Sequence, residues 1–129
     1  MASRALDWFR QAERDLRLAR VAAEAGSHDW ACFAAQQAAE KAVKAVYLSR
    51  NCEAWGYSVT ALLSNLPADA RPGDDLIDGA RELDRHYIPS RYPNSHPQGA
   101  PYEYYSGRDS ARAVGYAESI LRFCARLLD

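Results

Sequence analysis

The sequence predicts an all-α fold of four main helices and one short helix. Apolar residues recur at intervals of three and four along most of the chain, which is the period of an amphipathic helix. Glycines and prolines fall between these stretches, and no segment shows the alternation of apolar and polar residues expected of a strand. A length of 129 residues suits one domain with a modest core, so we expect a single domain over residues 1–129.

The first two helices are predicted over residues 4–25 and 28–50. Gly26 ends the first helix, and Ser27 is the predicted N-cap of the second. The second helix contains WACFAAQQAAEKAVKAVYL and is apolar on more than one side, which is typical of a central bundle helix or a subunit interface. One apolar stripe runs along the first helix: Ala5, Trp8, Phe9, Ala12, Leu16, Ala19 and Ala23.

The second half of the chain is predicted to hold one short helix, over residues 58–66, and two main helices. The third main helix covers residues 74–87 and ends before Pro89, because the residue preceding a proline disfavours helical geometry. The last helix covers residues 107–128. It is preceded by Ser106-Gly107-Arg108-Asp109, which has the spacing of a capping box.

Composition excludes several classes of protein. A net charge of −1 argues against a broad electrostatic grip on nucleic acid, which usually requires a strongly basic domain. No apolar run approaches the roughly 20 residues that a membrane helix needs, so we expect a cytoplasmic protein with no membrane contact. Cys32, Cys52 and Cys124 form no CxxC pair and no metal-ligand spacing. We therefore expect free thiols and neither a bound metal nor a cofactor.

The stretch RYPNSHPQGAPYEYY, residues 91–105, joins the last two main helices. It holds three prolines, a glycine and four tyrosines, with Arg91 and His96 five positions apart. Long ordered loops of this kind are commonly functional. This stretch is therefore the candidate site.

Two parts of the sequence resemble the HEPN domain (higher eukaryote and prokaryote nucleotide-binding). They are AERDLRLARVAAEAGSHDWACFAAQQAAEKAVKAVYL and LDRHYIPSRYPNSHPQGAPYEYYS, and a closing helix follows them. The resemblance covers nearly the whole chain and implies an up-and-down helical bundle that often forms a homodimer. Many relatives read Gly-His-Ser after the second helix, where this chain has Gly56-Tyr57-Ser58.

What the resemblance implies about function is twofold. HEPN proteins are frequently encoded beside a minimal nucleotidyltransferase, with which they form a toxin–antitoxin-like pair. Many are metal-independent ribonucleases that act through an Arg-x(4–6)-His motif, whereas other branches bind nucleotides or partners without cleaving RNA. We predict a nucleotide- or nucleotidyltransferase-binding module, with a ribonuclease toxin as the alternative.

Arg91 and His96 match the ribonuclease motif with four residues between them. A neutral His96 imidazole would take the proton from a ribose 2′-hydroxyl, and the alkoxide would attack the adjacent phosphate to give a 2′,3′-cyclic phosphate. Arg91 would hold that phosphate and stabilise the added negative charge. A symmetric dimer would supply a second pair, which offers the acid for the leaving oxygen.

A structural interpretation of the same residues stands beside the catalytic one. Pro93 and Pro97 surround the histidine with turn chemistry, and Arg91 is then an anchor that bonds loop carbonyls or Asp84. His86 and His28 are interpreted as ordinary helix-surface residues.

The tyrosines of the stretch also allow two interpretations: Tyr92, Tyr102, Tyr104 and Tyr105. They either stack on a nucleotide or RNA base, or pack the loop onto the bundle, and packing is favoured for Tyr102 and at least one neighbour. In modified members of the family the acceptor tyrosine lies two positions after the histidine. Gln98 stands there in this chain, so that role is not carried over.

Overall fold

The computed structural model describes residues 3–128, and it confirms the predicted fold class. The five α-helices in these residues are α1 (Ala5–Glu24), α2 (His28–Ser49), α3 (Val59–Ser64), α4 (Asp74–Arg85) and α5 (Gly107–Leu128). No residue in the described range lies in a strand. Each predicted helix is present, and its ends differ from the predicted ones by no more than about two residues, which is the usual uncertainty of helix boundaries.

Of the two positions that the sequence allowed for α2, central in the bundle or at a subunit interface, the structure shows the central one. This helix contacts all four of the others, and α1 and α5 make most of these contacts. Small side chains let the neighbouring helices approach closely, and burial of apolar surface on nearly every side of α2 stabilises the bundle. The buried residues of α2 are Ala31, Cys32, Ala34, Ala35, Gln36, Ala38, Ala39, Ala42, Val43, Ala45 and Val46.

The helix ends follow the local signals in the sequence, with one exception. Gly26 has φ +83°, the left-handed conformation that a glycine adopts without strain, and it ends α1. Ser27 occupies the N-cap of α2, but its side chain makes no capping hydrogen bond. At the start of α5 the Ser106 amide donates to the Asp109 carboxylate at 2.9 Å, and the Asp109 amide donates to Ser106 Oγ at 3.5 Å. The predicted capping box is therefore confirmed.

The apolar stripe predicted on α1 faces the core for most of its length. Ala5, Ala12, Leu16 and Ala19 are buried, whereas Trp8 is exposed at the margin of the stripe. None of the helices in residues 3–128 has both the length and the apolar character needed to cross a membrane.

Two of the three cysteines lie in the core. Cys32 and Cys124 are buried, and Cys52 is exposed. Burial raises the pKa of Cys32 to about 12, and it raises the pKa of Cys124 to about 12 as well. Both buried thiols are therefore protonated and unreactive near neutral pH.

α4 and α5 pack against each other and are joined by residues 87–106, which we call the connecting segment. Arg112 on α5 donates to the Glu82 carboxylate on α4, so that an ion pair bridges the two helices. The connecting segment returns the chain from the end of α4 to the start of α5 and carries all of the predicted site residues.

Candidate functional site in the connecting segment

The connecting segment contains two short 3₁₀ turns, Pro93–Ser95 and Pro101–Tyr104, and no α-helix. Each turn begins with a proline, whose fixed φ suits that position. Gly99 stands between them with φ +80°, and a Cβ there would meet Glu103 Oε1 at 3.2 Å. That carboxylate accepts a hydrogen bond from the Ala100 amide at 2.9 Å. Local turn chemistry thus gives the segment an ordered course without regular secondary structure.

Arg91 lies against aromatic rings from two parts of the chain. Its Cζ is 4.2 Å from the centroid of the Phe33 ring on α2, 4.7 Å from that of Tyr87 and 5.0 Å from that of Tyr92. Nε donates to the Tyr87 carbonyl oxygen at 2.8 Å. Within residues 3–128 this is the only hydrogen bond of the guanidinium, so both terminal nitrogens remain available to a ligand.

These rings belong to a larger group that we call the aromatic surface: Trp30, Phe33, Tyr57, Tyr87 and Tyr92. Tyr57 stacks on Tyr87 with centroids 3.8 Å apart and planes 9° apart, and Trp30 meets Phe33 edge to face at 6.0 Å. Trp30 is 54% exposed, Tyr57 44% and Tyr92 47%. Of the three exposed rings, Tyr92 borders the Arg91 guanidinium directly, whereas Trp30 and Tyr57 are connected to it through Phe33 and Tyr87. Because the terminal nitrogens of Arg91 have no hydrogen-bond partner within residues 3–128, this arrangement suits a planar or anionic ligand.

A buried polar network fixes Tyr57 in this position. Gln36, fully buried on α2, donates through Nε2 to the Tyr57 carbonyl oxygen at 2.8 Å. Asp84 on α4 accepts from the backbone amides of Val59 and Thr60, both at 2.9 Å, and from the Thr60 hydroxyl at 2.7 Å. Asp84 therefore anchors the start of α3. Of the two partners that the structural interpretation allowed for Arg91, a loop carbonyl or Asp84, the structure has a carbonyl, that of Tyr87.

His96 is held by a different part of the connecting segment. Its Nε2 donates to the Pro89 carbonyl oxygen at 2.7 Å, and its ring stacks on Tyr104 with centroids 4.1 Å apart and planes 14° apart. The Tyr104 hydroxyl donates in turn to the Gln98 carbonyl oxygen. Because a carbonyl can only accept, neutral His96 carries its proton on Nε2 and presents the Nδ1 lone pair. A base in this tautomer can accept a proton at Nδ1.

Arg91 and His96 are thus supported separately. Arg91 lies on the aromatic surface, and His96 lies on Tyr104; within residues 3–128 no hydrogen bond or ring contact joins the two side chains. Within one protomer, the proposed phosphate-binding residue Arg91 and the proposed base His96 therefore do not contact each other.

The predicted binding tyrosines fall into separate environments. Tyr92 borders Arg91, and Tyr104 supports His96. Tyr102 is 69% exposed, so the expectation that it packs against the bundle was wrong, because its place on the second 3₁₀ turn directs the ring to solvent. Tyr105 does pack inward. Its hydroxyl lies 3.1 Å from Nδ1 of His86, and burial raises the pKa of that hydroxyl.

His86 was predicted to be an ordinary helix-surface residue, but the structure places it at the inner side of the connecting segment. It caps the end of α4, it is half-buried, and burial lowers the pKa of its imidazole. The sequence could have predicted this burial, because His86 follows the core residue Leu83 by three positions and so lies on the same inward face of the helix. His28 is also half-buried, with Nδ1 2.9 Å from the Ser110 hydroxyl. Neither histidine is an ordinary surface residue.

Arg81 and His86 repeat the Arg-x4-His spacing of Arg91 and His96. Arg81 is exposed and pairs with Asp78 at 2.8 Å, one turn earlier on α4. The spacing therefore occurs twice in this chain within very different surroundings.

A comparison with known families supplies an independent result. The model of the HEPN domain matches residues 5–127, which is nearly the whole chain. A curated protein of Methanocaldococcus jannaschii named "Putative toxin MJ1304" is 26% identical over 123 residues, covering 88% of this chain and 81% of that protein.

Three solved structures share the fold over nearly the full chain. TT1696 from Thermus thermophilus is 43% identical, with a TM-score of 0.96, and the match covers 98% of this chain and 100% of that one. ST0689, described as an archaeal HEPN homologue, is 43% identical, with a TM-score of 0.82 and full coverage of both chains. A HEPN domain protein of Thermotoga maritima, TM0613, is 42% identical, with a TM-score of 0.78 and coverage of 95% and 97%.

Proposed function

This chain belongs to the HEPN domain family, and from that premise we propose that it is a nucleotide-binding module of a toxin–antitoxin-like pair. The observation that carries the proposal is the position of Arg91 on the aromatic surface. Its guanidinium is held through Nε, and within residues 3–128 its terminal nitrogens have no hydrogen-bond partner. The exposed ring of Tyr92 lies beside it, and the exposed rings of Trp30 and Tyr57 pack on its neighbours Phe33 and Tyr87. The name of the archaeal relative supports the assignment to a toxin-like pair.

In the proposed binding mode, the phosphate of the nucleotide is bound by charge and its base is bound by stacking. The terminal nitrogens of Arg91 donate to a phosphate in the bidentate geometry that guanidinium favours. The base stacks on an exposed ring, for which Tyr57 is best prepared because the buried side chain of Gln36 holds its backbone. Each stacked base contributes about 1–3 kcal/mol in comparable sites.

Calorimetric titration with ATP tests this proposal. We expect Arg91→Gln to weaken binding at least about tenfold, since a charge-assisted pair with phosphate contributes about 1.5–3 kcal/mol. Arg81→Gln is the matched control, because it removes an exposed arginine of α4 that lies outside the aromatic surface, and its affinity should stay near that of the parent protein. Absence of heat with millimolar ATP, or equal binding by Arg91→Gln, would contradict the proposal.

A ribonuclease is the second candidate, and the tautomer of His96 favours it. With Nε2 donating to Pro89, Nδ1 is the basic atom that would take the proton of a ribose 2′-hydroxyl. Arg91 would stabilise the phosphate charge, and Arg91 and His96 of a second protomer would complete the acid and the clamp in a homodimer.

The ribonuclease candidate is tested with purified protein and a labelled single-stranded RNA in the presence of a chelator. The expected product has a 2′,3′-cyclic phosphate end, and His96→Ala should slow its formation at least about a hundredfold, the typical contribution of a general base. Gln98→Ala is a control from the same segment. RNA that stays intact, or cleavage that survives His96→Ala, would eliminate this candidate.

We further propose a minimal nucleotidyltransferase as the partner and the cytoplasm as the location, and the family premise supports both. Affinity purification of the tagged chain from its own cells should recover a nucleotidyltransferase, and light scattering of the purified chain should give the mass of a homodimer. A monomer of 14.4 kDa would remove the dimer from the proposal.

A further inference from the structure

His86 and Tyr105 join the two ends of the connecting segment. His86 caps α4 immediately before the segment, and Tyr105 is its penultimate residue. The Tyr105 hydroxyl lies 3.1 Å from Nδ1 of His86, and the two rings meet at 62° with centroids 5.3 Å apart. This contact therefore holds the two ends of the connecting segment together.

Two side-chain polar atoms are buried without a hydrogen-bond partner within residues 3–128, Nε2 of His86 and Oγ of Ser90. The Ser90 amide donates to the His86 carbonyl oxygen at 3.4 Å, so the two residues are one helical turn apart. Ser90 itself is almost completely buried. The ring of His86 thus has one bonded nitrogen and one nitrogen in a dry environment.

This arrangement suits a neutral imidazole and opposes a charged one. A neutral ring has one donor and one acceptor, and the Tyr105 hydroxyl can complement either at Nδ1. A protonated ring has two donors, so the Nε2–H group would be charged, buried and unpaired, and the Tyr105 hydroxyl would be restricted to accepting. An unpaired buried donor is costly, and more so when it carries charge.

The groups around the ring do not supply a dominant counter-charge. They are Glu82 and Arg85 on α4, Asp109 and Arg112 on α5, the Tyr105 hydroxyl, and Cys32 and Asp29 on α2 beside Tyr105. Burial is the largest effect on the pKa of His86 and lowers it, ahead of the opposing influence of Glu82 and Asp109. Glu82 is itself paired with Arg112.

We propose that His86 and Tyr105 form an acid-sensitive latch, which holds the connecting segment on the bundle while His86 is neutral and releases it when His86 is protonated. Release would free the segment that carries Arg91 and His96, so acid would loosen the candidate site without unfolding the α1–α2 core. The latch is independent of what the site binds, and its test needs no ligand.

Hydrogen exchange measured by mass spectrometry between pH 7.5 and pH 5 tests the latch, with rates corrected for the intrinsic pH dependence. Protection of peptides within residues 88–105 should fall by up to about tenfold per pH unit as pH drops below the unfolded pKa of His86, about 6.5, because opening then takes up one proton. Peptides from α1 and α2 should keep their protection. His86→Gln should abolish the acid dependence, and His96→Gln, the matched histidine of the same segment, should leave it unchanged.

A second measurement keeps the test decisive if His86→Gln does not fold. In an NMR titration of the unmodified chain, the His86 ring and the amides of residues 88–105 should titrate with one midpoint. Tyr105→Phe keeps the ring and removes the hydroxyl, so segment protection at pH 7.5 should already be reduced about fivefold or more. The latch is overturned if the segment amides follow His96 rather than His86, or if their protection does not change between pH 7.5 and pH 5.

Discussion

Two arginine–histidine pairs with the same spacing, Arg81–His86 and Arg91–His96, occur within sixteen residues of each other and behave differently. On α4 a separation of five residues turns the side chains about 140° apart. Arg81 therefore reaches solvent, while His86 faces the interior. In the connecting segment both side chains are half-buried, but each rests on its own aromatic support.

Spacing along the chain brings two side chains together only when the backbone between them has a suitable conformation. Four intervening residues give divergent directions on a helix, and in the connecting segment they span the first 3₁₀ turn. An Arg-x4-His match in the sequence therefore does not show that the two side chains act together. The residues that each side chain contacts determine its chemistry. Substitutions of corresponding residues in the two pairs should therefore change the free energy of unfolding by different amounts.

The largest effect is expected for the histidines. His86→Ala should lower the free energy of unfolding by about 3 kcal/mol, because it leaves a cavity and an unpaired Tyr105 hydroxyl in the interior. His96→Ala should cost about 1 kcal/mol, since that ring is only partly buried and loses one hydrogen bond and one stack. Urea denaturation of both variants checks the order, and equal losses would show that the two rings are equally embedded.

Substitution of the arginines should change the free energy of unfolding less than substitution of the histidines. The order of the two pairs is reversed, since the loss should be larger for Arg91 than for Arg81. Arg91→Ala removes a cation from three rings and a hydrogen bond to Tyr87, and we expect a loss of about 1–2 kcal/mol in the free energy of unfolding. Arg81→Ala removes an exposed ion pair with Asp78 and should change stability by less than about 0.5 kcal/mol. A destabilised Arg81→Ala would mean that the exposed pair matters more than its surroundings indicate.

The smallest effect is the contribution of His86 to the pH dependence of stability. Its pKa is lowered in the folded state, so between the folded and unfolded values the unfolded chain binds more protons. The stability that comes from neutral His86 is complete above the unfolded pKa of about 6.5 and is lost as pH falls towards the folded value. Thermal unfolding at pH 7.5 and pH 5.5 should show a weaker acid loss for His86→Gln than for the parent. His96→Gln is the control that should follow the parent.

The two regions also differ in how far the sequence predicts them. Helix positions, the glycine stop at Gly26 and the capping box at Ser106 and Asp109 follow from signals only a few residues long, and all are present. Arg91 was singled out from the sequence, but its immediate neighbour Phe33 comes from another helix, so the aromatic surface was not foreseen. Tyr102 was misjudged because the orientation of a ring on a 3₁₀ turn depends on the path of the whole segment.

The helices and their ends could be predicted from the amino-acid sequence, because periodicity and capping are local properties of the backbone and its nearest side chains. The family could be predicted from the resemblance of two stretches of sequence. The surroundings of Arg91, His96 and His86 could not be predicted in this way. Those surroundings depend on contacts between α2, α4, α5 and the connecting segment, whose residues are far apart in the chain. Burial, stacking and hydrogen-bond partners are set when these elements pack. They decide which of two identical spacings places a guanidinium on aromatic rings and which encloses a histidine.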